Sequence, residues 1–341
     1  MERKASLMPR QAVFILELAL LLLFSTNSYA RELLPVKTGN MNPFMIGYGA
    51  VVPDSPFLVQ QDELTVSVKL ELANNSISAN SATEEITIDG ESYLADINLR
   101  YGYSRNLELI VDIPLLYHSS GFLDQIIKNW HNLWGISNSR RDVFPNNQLL
   151  YQYRKDGNTL ISIDTGTGGV GDVVMGLKFS NEELRSGNTT VALRTDIKLP
   201  TGDADKLTGS GATDVALSVH AANAAFLDDI NTILYGGAGL VALGKGDILP
   251  GIQKELNTSG YFGASWNATH RLALIAQLNY QSAYYKSDLK QLGKNSLQLY
   301  LNAAYTDRSN VSYELGFGEN LTTSPTPDFL LYFSVTTGVT E

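Results

Sequence analysis

Ser218 and His220 stand two residues apart, with Asp214 on the same parity four residues before Ser218. Nucleophilic catalysis by such a set needs the imidazole within hydrogen-bond reach of both the hydroxyl and the carboxylate. Spacing along one strand permits the first contact and does not specify the second. Only four histidines occur (His118, His131, His220 and His270) and there is no cysteine, so thiol catalysis and thiolate metal sites are excluded. The set also falls on the inward face of its strand, whereas a lipid substrate would approach from outside. No catalytic residue is therefore assigned, and a lipid-modifying hydrolase stands only as an alternative.

Two loop motifs invite ligands. In "TGDADKLTGSGATD", Asp203 and Asp205 resemble calcium donors, but the distal bidentate Glu of an EF-hand is missing. "GTGGVGD" has the glycines of a phosphate loop without the following Lys-Ser/Thr or a helix. Neither is taken as a site; the expected cofactor is none, the expected metal none.

A larger set of charges is spaced by twos along strand-like segments: Lys69; Asp96 and Arg100; Glu108 and Asp112; Lys178; Arg194, Asp196 and Lys198; and Glu314. Gln277, Asn279 and Gln298 share this parity. If the intervening apolar residues face lipid, these side chains line a lumen, where they either filter solutes or pair across the ladder and fill it.

The elements that must position them are strands. From Glu63 onward apolar and polar residues alternate, as in Leu64, Val66, Val68, Leu70 and Leu72 against Glu63, Thr65, Ser67, Lys69 and Glu71. The pattern recurs near 93–103, 107–115, 172–180, 189–199, 213–223, 231–242, 259–268, 271–282, 296–306, 310–320 and 328–338, giving about twelve strands. Their lengths approach the ~9–11 residues with which a tilted strand crosses a bilayer. Short turns at 104–106, 267–271 and 306–310 alternate with long polar loops near 74–90, 118–171, 200–212, 243–258, 283–295 and 321–327. Short periplasmic turns and long extracellular loops are the pattern of an outer-membrane barrel. The fold expected is all-β, a transmembrane antiparallel barrel of about 12 strands.

Residues 1–30 carry a basic start (Arg3, Lys4, Arg10), an apolar run too short to span a bilayer, and small residues at Ser28 and Ala30. They read as a secretory signal peptide. Removing its three Lys/Arg and two Asp/Glu from 25 and 35 leaves a net charge of −11, which excludes nucleic acid as a partner. Residues 31–62, rich in Pro and Gly, are expected to be a periplasmic lead-in, with 45–52 as a short extra segment; residues 63–341 form the barrel.

The 118–171 loop contains one departure from the period of two. "GFLDQIIKNWHNLWG" places Phe122, Leu123, Ile126, Ile127, Trp130, Leu133 and Trp134 on one helical face. An amphipathic helix there has three options: constricting the mouth, lying on the outer leaflet, or capping the rim. Trp130, His131, Trp134, Arg140, Arg141 and Asp142 are its gating or lipid-contact candidates, the arginines being suited to phosphates.

"WHNLWGISNSRRDVFPNN", "GTGGVGDVVMGLK", "LRTDIKLPTGD" and "LTGSGATD" together resemble an uncharacterised family of proteobacterial outer-membrane barrels. The Gly-Asp turn and L-P-T-G-D loop are shared more loosely with small outer-membrane channels for aromatic and other hydrophobic compounds. The resemblance implies the outer membrane of a Gram-negative bacterium. It also implies lipid and lipopolysaccharide as surroundings, and the barrel assembly machinery and periplasmic chaperones as partners in biogenesis. It supplies no reaction. The functional expectation is a narrow passive channel or uptake protein for a small solute, gated by the 118–171 loop. A structural or surface-interaction barrel with a closed lumen is a further alternative.

Overall fold

A computed structural model describes residues 35–134, 145–322, 325–327 and 329–339. Twelve strands form a closed antiparallel barrel: β1 (Leu64–Asn80), β2 (Glu84–Ser104), β3 (Leu107–Ser119), β4 (Val174–Phe179), β5 (Thr189–Lys198), β6 (Asp214–Leu227), β7 (Thr232–Ala242), β8 (Leu256–Asn267), β9 (Leu272–Gln281), β10 (Ser296–Thr306), β11 (Ser312–Asn320) and β12 (Phe329–Val339). Each pairs with its neighbours in sequence, and β12 closes the wall on β1, from Leu64↔Val339 to Asn74↔Phe329. All twelve expected strands are present.

The alternation is inverted relative to a soluble fold. On β6, Val215, Leu217 and Val219 are 41–58% exposed, while Ala216 and His220, between and beyond them, are 4% and 0% exposed. Comparable apolar stripes run down β1 (Val68, Leu70), β8 (Phe262, Trp266) and β12 (Leu331, Phe333). A continuous apolar outer belt of this extent would drive association in water and is stable only in lipid.

Two expectations are corrected at the loop ends. The stretch 74–90 is not a loop. β1 and β2 run on as a hairpin with register Ala79↔Ile86, turning at 81–83. Its Asn/Ser-rich composition reads as loop because this ribbon rises past the main wall. Ile77, Ile86 and Ile88 nevertheless pack inward beside Tyr151 and Tyr153 of a second hairpin, 150–155 with 158–163, which pairs with β2. The helix α1 (Leu123–Trp134) lies where its period places it, after β3.

The second correction concerns the residues before β1. The reading of 31–62 as a lead-in outside the barrel fails for the residues described. Residues 35–61 instead enter the lumen, reach the long-loop end and return. Val36 exchanges hydrogen bonds with Gln277 midway along β9, and Thr38 Oγ1 donates to the Tyr300 hydroxyl. Asn42 then closes a turn, its Oδ1 accepting from Phe44 N–H and its carbonyl from Met45 and Ile46. On the way down Asp54 meets Tyr261, and Val59 N–H donates to Glu108 near the start of β3. A bridge between Gln61 and Gly102 leads the chain into β1.

Phe44, Met45 and Tyr48 at the top of this excursion join Ile248, Leu249, Ile252, Tyr284, Tyr285, Leu289 and Leu292 from the loops after β7 and β9. Burying each large side chain contributes about 1.5–3 kcal/mol. Tyr285 and Tyr284 hydroxyls donate to the carbonyls of Phe44 (2.5 Å) and Gly49 (2.9 Å). Burial pushes both phenols well above their ordinary range, so they remain neutral donors. The long-loop end of the barrel is thereby capped.

Candidate functional site: the occupied lumen

All ten charged residues expected to line the lumen point inward. The chain joins nine of them into ion pairs, three of these residues through Asp54 of the inner segment. Lys69 pairs with Glu71 at 3.0 Å and Asp96 at 3.5 Å, and donates to the Lys37 carbonyl. Glu314, buried, accepts from Ser334 on the next strand.

The centre of the network is Asp54. Its Oδ2 receives Arg100 Nη2 at 2.5 Å, Arg194 Nη1 at 2.9 Å and Lys178 Nζ at 3.6 Å. These cations come from β2, β5 and β4. Each is also held from the wall: Arg100 and Lys178 by Glu108 (2.7 and 3.2 Å), Arg194 by Asp196 (2.8 Å) and Asp112 (3.5 Å). Lys178 further donates to the carbonyls of Ser55 and Phe57. All of these groups are largely removed from solvent, where an unpaired charge would cost several kcal/mol.

A second knot explains three of the glycine-rich motifs. Lys198 Nζ bonds the Asp172 carboxylate, Ser210 Oγ (2.7 Å) and the Ala212 carbonyl (2.8 Å), and lies 3.4 Å from Asp214. Asp172 accepts from the N–H groups of Gly202 and Ser210, and Asp214 from those of Gly49 and Gly244. The backbones of Gly202 and Gly209 approach so closely that a Cβ on Gly202 would lie 2.8 Å from Gly209 Cα. "GTGGVGD", "LPTGD" and "LTGSGATD" thus interlock around one lysine. Asp203 pairs with Lys206 and caps a short turn through Asp205 N–H, so the loop carboxylates serve local structure.

The hydroxyl–imidazole contact forms: Ser218 Oγ lies 2.8 Å from His220 Nε2. The third member does not follow. His220 Nδ1 meets the Tyr261 hydroxyl at 2.6 Å, and Asp214 is engaged by Lys198 and two backbone amides. Neither Ser218 nor His220 borders the lumen's cavity.

That cavity, about 200 Å³, lies between the inner segment and the wall. Its lining includes the charged residues Lys37, Asp96, Asp112, Arg100 and Arg194 and the apolar residues Met41, Met45, Leu94, Pro114 and Leu116. Described residues of α1 do not line it. Leu123 and Ile127 pack inward, and the carboxylate of Glu91 on β2 accepts the first N–H groups of the helix, from Phe122 (2.8 Å) and Leu123 (2.6 Å). Trp130, His131 and Trp134 fall on the backbone of α1, but their side chains lie outside the described structure, as do Arg140, Arg141 and Asp142 entirely.

Sequence reasoning missed Asp54, Asp172 and Tyr261. Asp54 sits in "VPDSP", which reads as a turn. One signal was present: Met41, Phe44, Met45 and Tyr48, within eight residues of the supposed lead-in, form more apolar surface than an exposed linker carries.

The Pseudomonas putida F1 COG4313 outer membrane channel superposes with a TM-score of 0.57 at 12% identity, over 85% of this chain and 100% of that one. The NanC porin (TM-score 0.45, 7% identity, 82% and 99% covered) and the Pseudomonas putida toluene transporter TodX (0.34, 10%, 81% and 87%) are more distant. At these identities the likeness is one of fold, carried by the first. No curated protein matches the sequence. The profile of a family described as "Protein of unknown function (DUF3187)" matches residues 13–339, nearly the whole chain, and the protein belongs to that family.

Proposed function

We propose that this protein is a channel or uptake protein of a Gram-negative outer membrane, exported on residues 1–30 as a signal peptide and closed at rest by its own residues 35–61. The observation that carries the reading is the inner segment. A closed barrel needs no filler to satisfy its backbone. This one nevertheless threads 27 residues of chain through a charged lumen, held by reversible ion pairs and hydrogen bonds. Such contacts release by exchange with water or solute. Passage of a small solute then requires the segment to shift. The 118–171 loop shares in gating through Leu149, Tyr151 and Tyr153, which belong to the apolar cap, rather than through α1.

Purified protein in planar bilayers tests this. Gly47 sits at the turn, where an added Cβ would come within 2.7 Å of the Gly209 backbone. The wild type is expected to give rare, small conductance steps, and Gly47→Val, folded by the criterion of heat-modifiable migration, to open far more often. Silence from both would leave a structural barrel with a permanently closed lumen.

A further inference from the structure

We infer that Arg100, Lys178 and Arg194 form a carboxylate-binding subsite of the lumen, which Asp54 occupies as a tethered stand-in for a small organic anion. The inference rests on the channel reading above and narrows its solute class.

Three features lead there. First, three cations from three strands converge on one oxygen, Asp54 Oδ2, at 2.5, 2.9 and 3.6 Å. Second, the wall is already balanced without Asp54. Arg100, Lys178 and Arg194 face Glu108, Asp112 and Asp196, three charges against three. Glu108 faces Arg100 Nε, and Asp196 and Asp112 take Arg194 Nε and Nη2, leaving Arg100 Nη2 and Arg194 Nη1 aimed at a common point. Asp54 is thus an added anion brought by the inner segment, which also brings Lys37 to the border of the cavity. Third, the cavity adjoins this point. Arg100 and Arg194 border it, and its volume of about 200 Å³ exceeds the ~150 Å³ in which an engineered apolar cavity holds benzene. Met41, Met45, Leu94, Pro114 and Leu116 supply an apolar flank for the body of such a ligand.

The chemistry follows. An incoming carboxylate replaces Asp54 like for like, so the cations are not left unpaired and the desolvation cost of separating them is avoided. A solute cation would meet three positive groups at the same point. Lys178 must also give up the Ser55 and Phe57 carbonyls as the segment withdraws, which couples occupancy by solute to departure of residues 54–57.

The test uses full-length protein in planar bilayers under a KCl gradient, with benzoate as the probe. Gly47→Val should conduct with chloride favoured over potassium, and benzoate should block or carry the current. Adding Arg194→Gln or Arg100→Gln should weaken the benzoate effect roughly tenfold, the size expected for one charge-assisted hydrogen bond; Arg194→Lys should retain part of it. Asp54→Asn alone should raise opening. If Gly47→Val conducts but prefers potassium, or if the glutamine variants leave chloride preference and benzoate sensitivity unchanged, the subsite is wrong and the channel stands. If heat-modifiable Gly47→Val and Asp54→Asn are both silent, the channel reading itself falls.

Discussion

Asp54 and Arg194, 140 residues apart in sequence, meet at 2.9 Å inside the barrel and tie the inner segment to β5. Arg194 is pre-set for this contact. Asp196, two residues on and therefore on the same face, takes its Nε and Nη2, and Asp112 from β3 steadies the far edge. Gly176 on β4 leaves room for the Asp196 carboxylate, which a Cβ there would strike. The guanidinium is held from the wall so that its free corner meets the segment.

A double-mutant cycle on Asp54→Ala and Arg194→Ala measures this contact. Each single change strands buried charge, and the pair together strands less. Unfolding in urea from lipid vesicles should give a coupling of about 2–3 kcal/mol, in the upper range for directly contacting residues. Because the pair is buried, the coupling should be nearly unchanged between low and high salt. A coupling near zero would mean that Lys178 and Arg100 hold Asp54 without Arg194.

Replacing Lys198 by Met should do more local damage. Its ammonium is the common donor to Asp172, Ser210 and Ala212 and sits beside Asp214. Removing it leaves two buried carboxylates without their cation, a loss of about 3–5 kcal/mol. The 199–213 loop should become sensitive to limited proteolysis, cut at Lys206, before the barrel loses heat-modifiable migration. A loop that stays resistant would show that Gly202 and Ser210 amides suffice to hold Asp172.

The two faces of β6 make opposite predictions for neighbouring residues. Leu217 is 58% exposed on the outer wall, so Leu217→Arg should impair folding into vesicles by about 2–4 kcal/mol, as for a basic residue at the bilayer midplane. Ser218→Ala loses one hydrogen bond to His220, worth about 1 kcal/mol. Equal, small effects from both changes would argue that β6 does not face lipid.

How far these relationships can be read from the sequence depends on what enforces them. Arg194, Asp196 and Lys198 declare their common face because strand geometry repeats every two residues and the outer face must stay apolar. Lipid imposes that rule along the whole wall, so strand number and lumen-facing parity are both legible. No such rule governs residues 35–61. Their partners lie on strands 32 to 262 residues away, and an irregular backbone bonded to side chains leaves no period. Asp54 therefore looks like any turn aspartate. The hairpin over 74–90 was hidden for a related reason: past the main wall its outer face meets other loop elements, as Asn74 meets Asp124 of α1, and buried Asn and Ser replace the apolar stripe. His220 shows the converse limit. Its spacing to Ser218 was visible, but its second partner, Tyr261, comes from two strands away.

The attachment of α1 depends on Gly121. This residue has φ +69°, a left-handed conformation that costs a non-glycine residue about 1–2 kcal/mol, and a Cβ here would run into the Glu91 side chain. That carboxylate accepts the first helical N–H groups, which carry the positive end of the helix dipole. Gly121→Ala should therefore displace Glu91 and unseat the start of α1, while β2 and β3 stay paired below it. Trypsin should cut faster at Lys128 with the barrel still heat-modifiable. Glu91→Gln, which keeps an acceptor but loses the charge, should give a smaller increase. Single-channel steps of the Gly47→Val protein should be unchanged by either substitution if α1 is a rim element. An enlarged conductance on adding Gly121→Ala would instead return the gate to this helix.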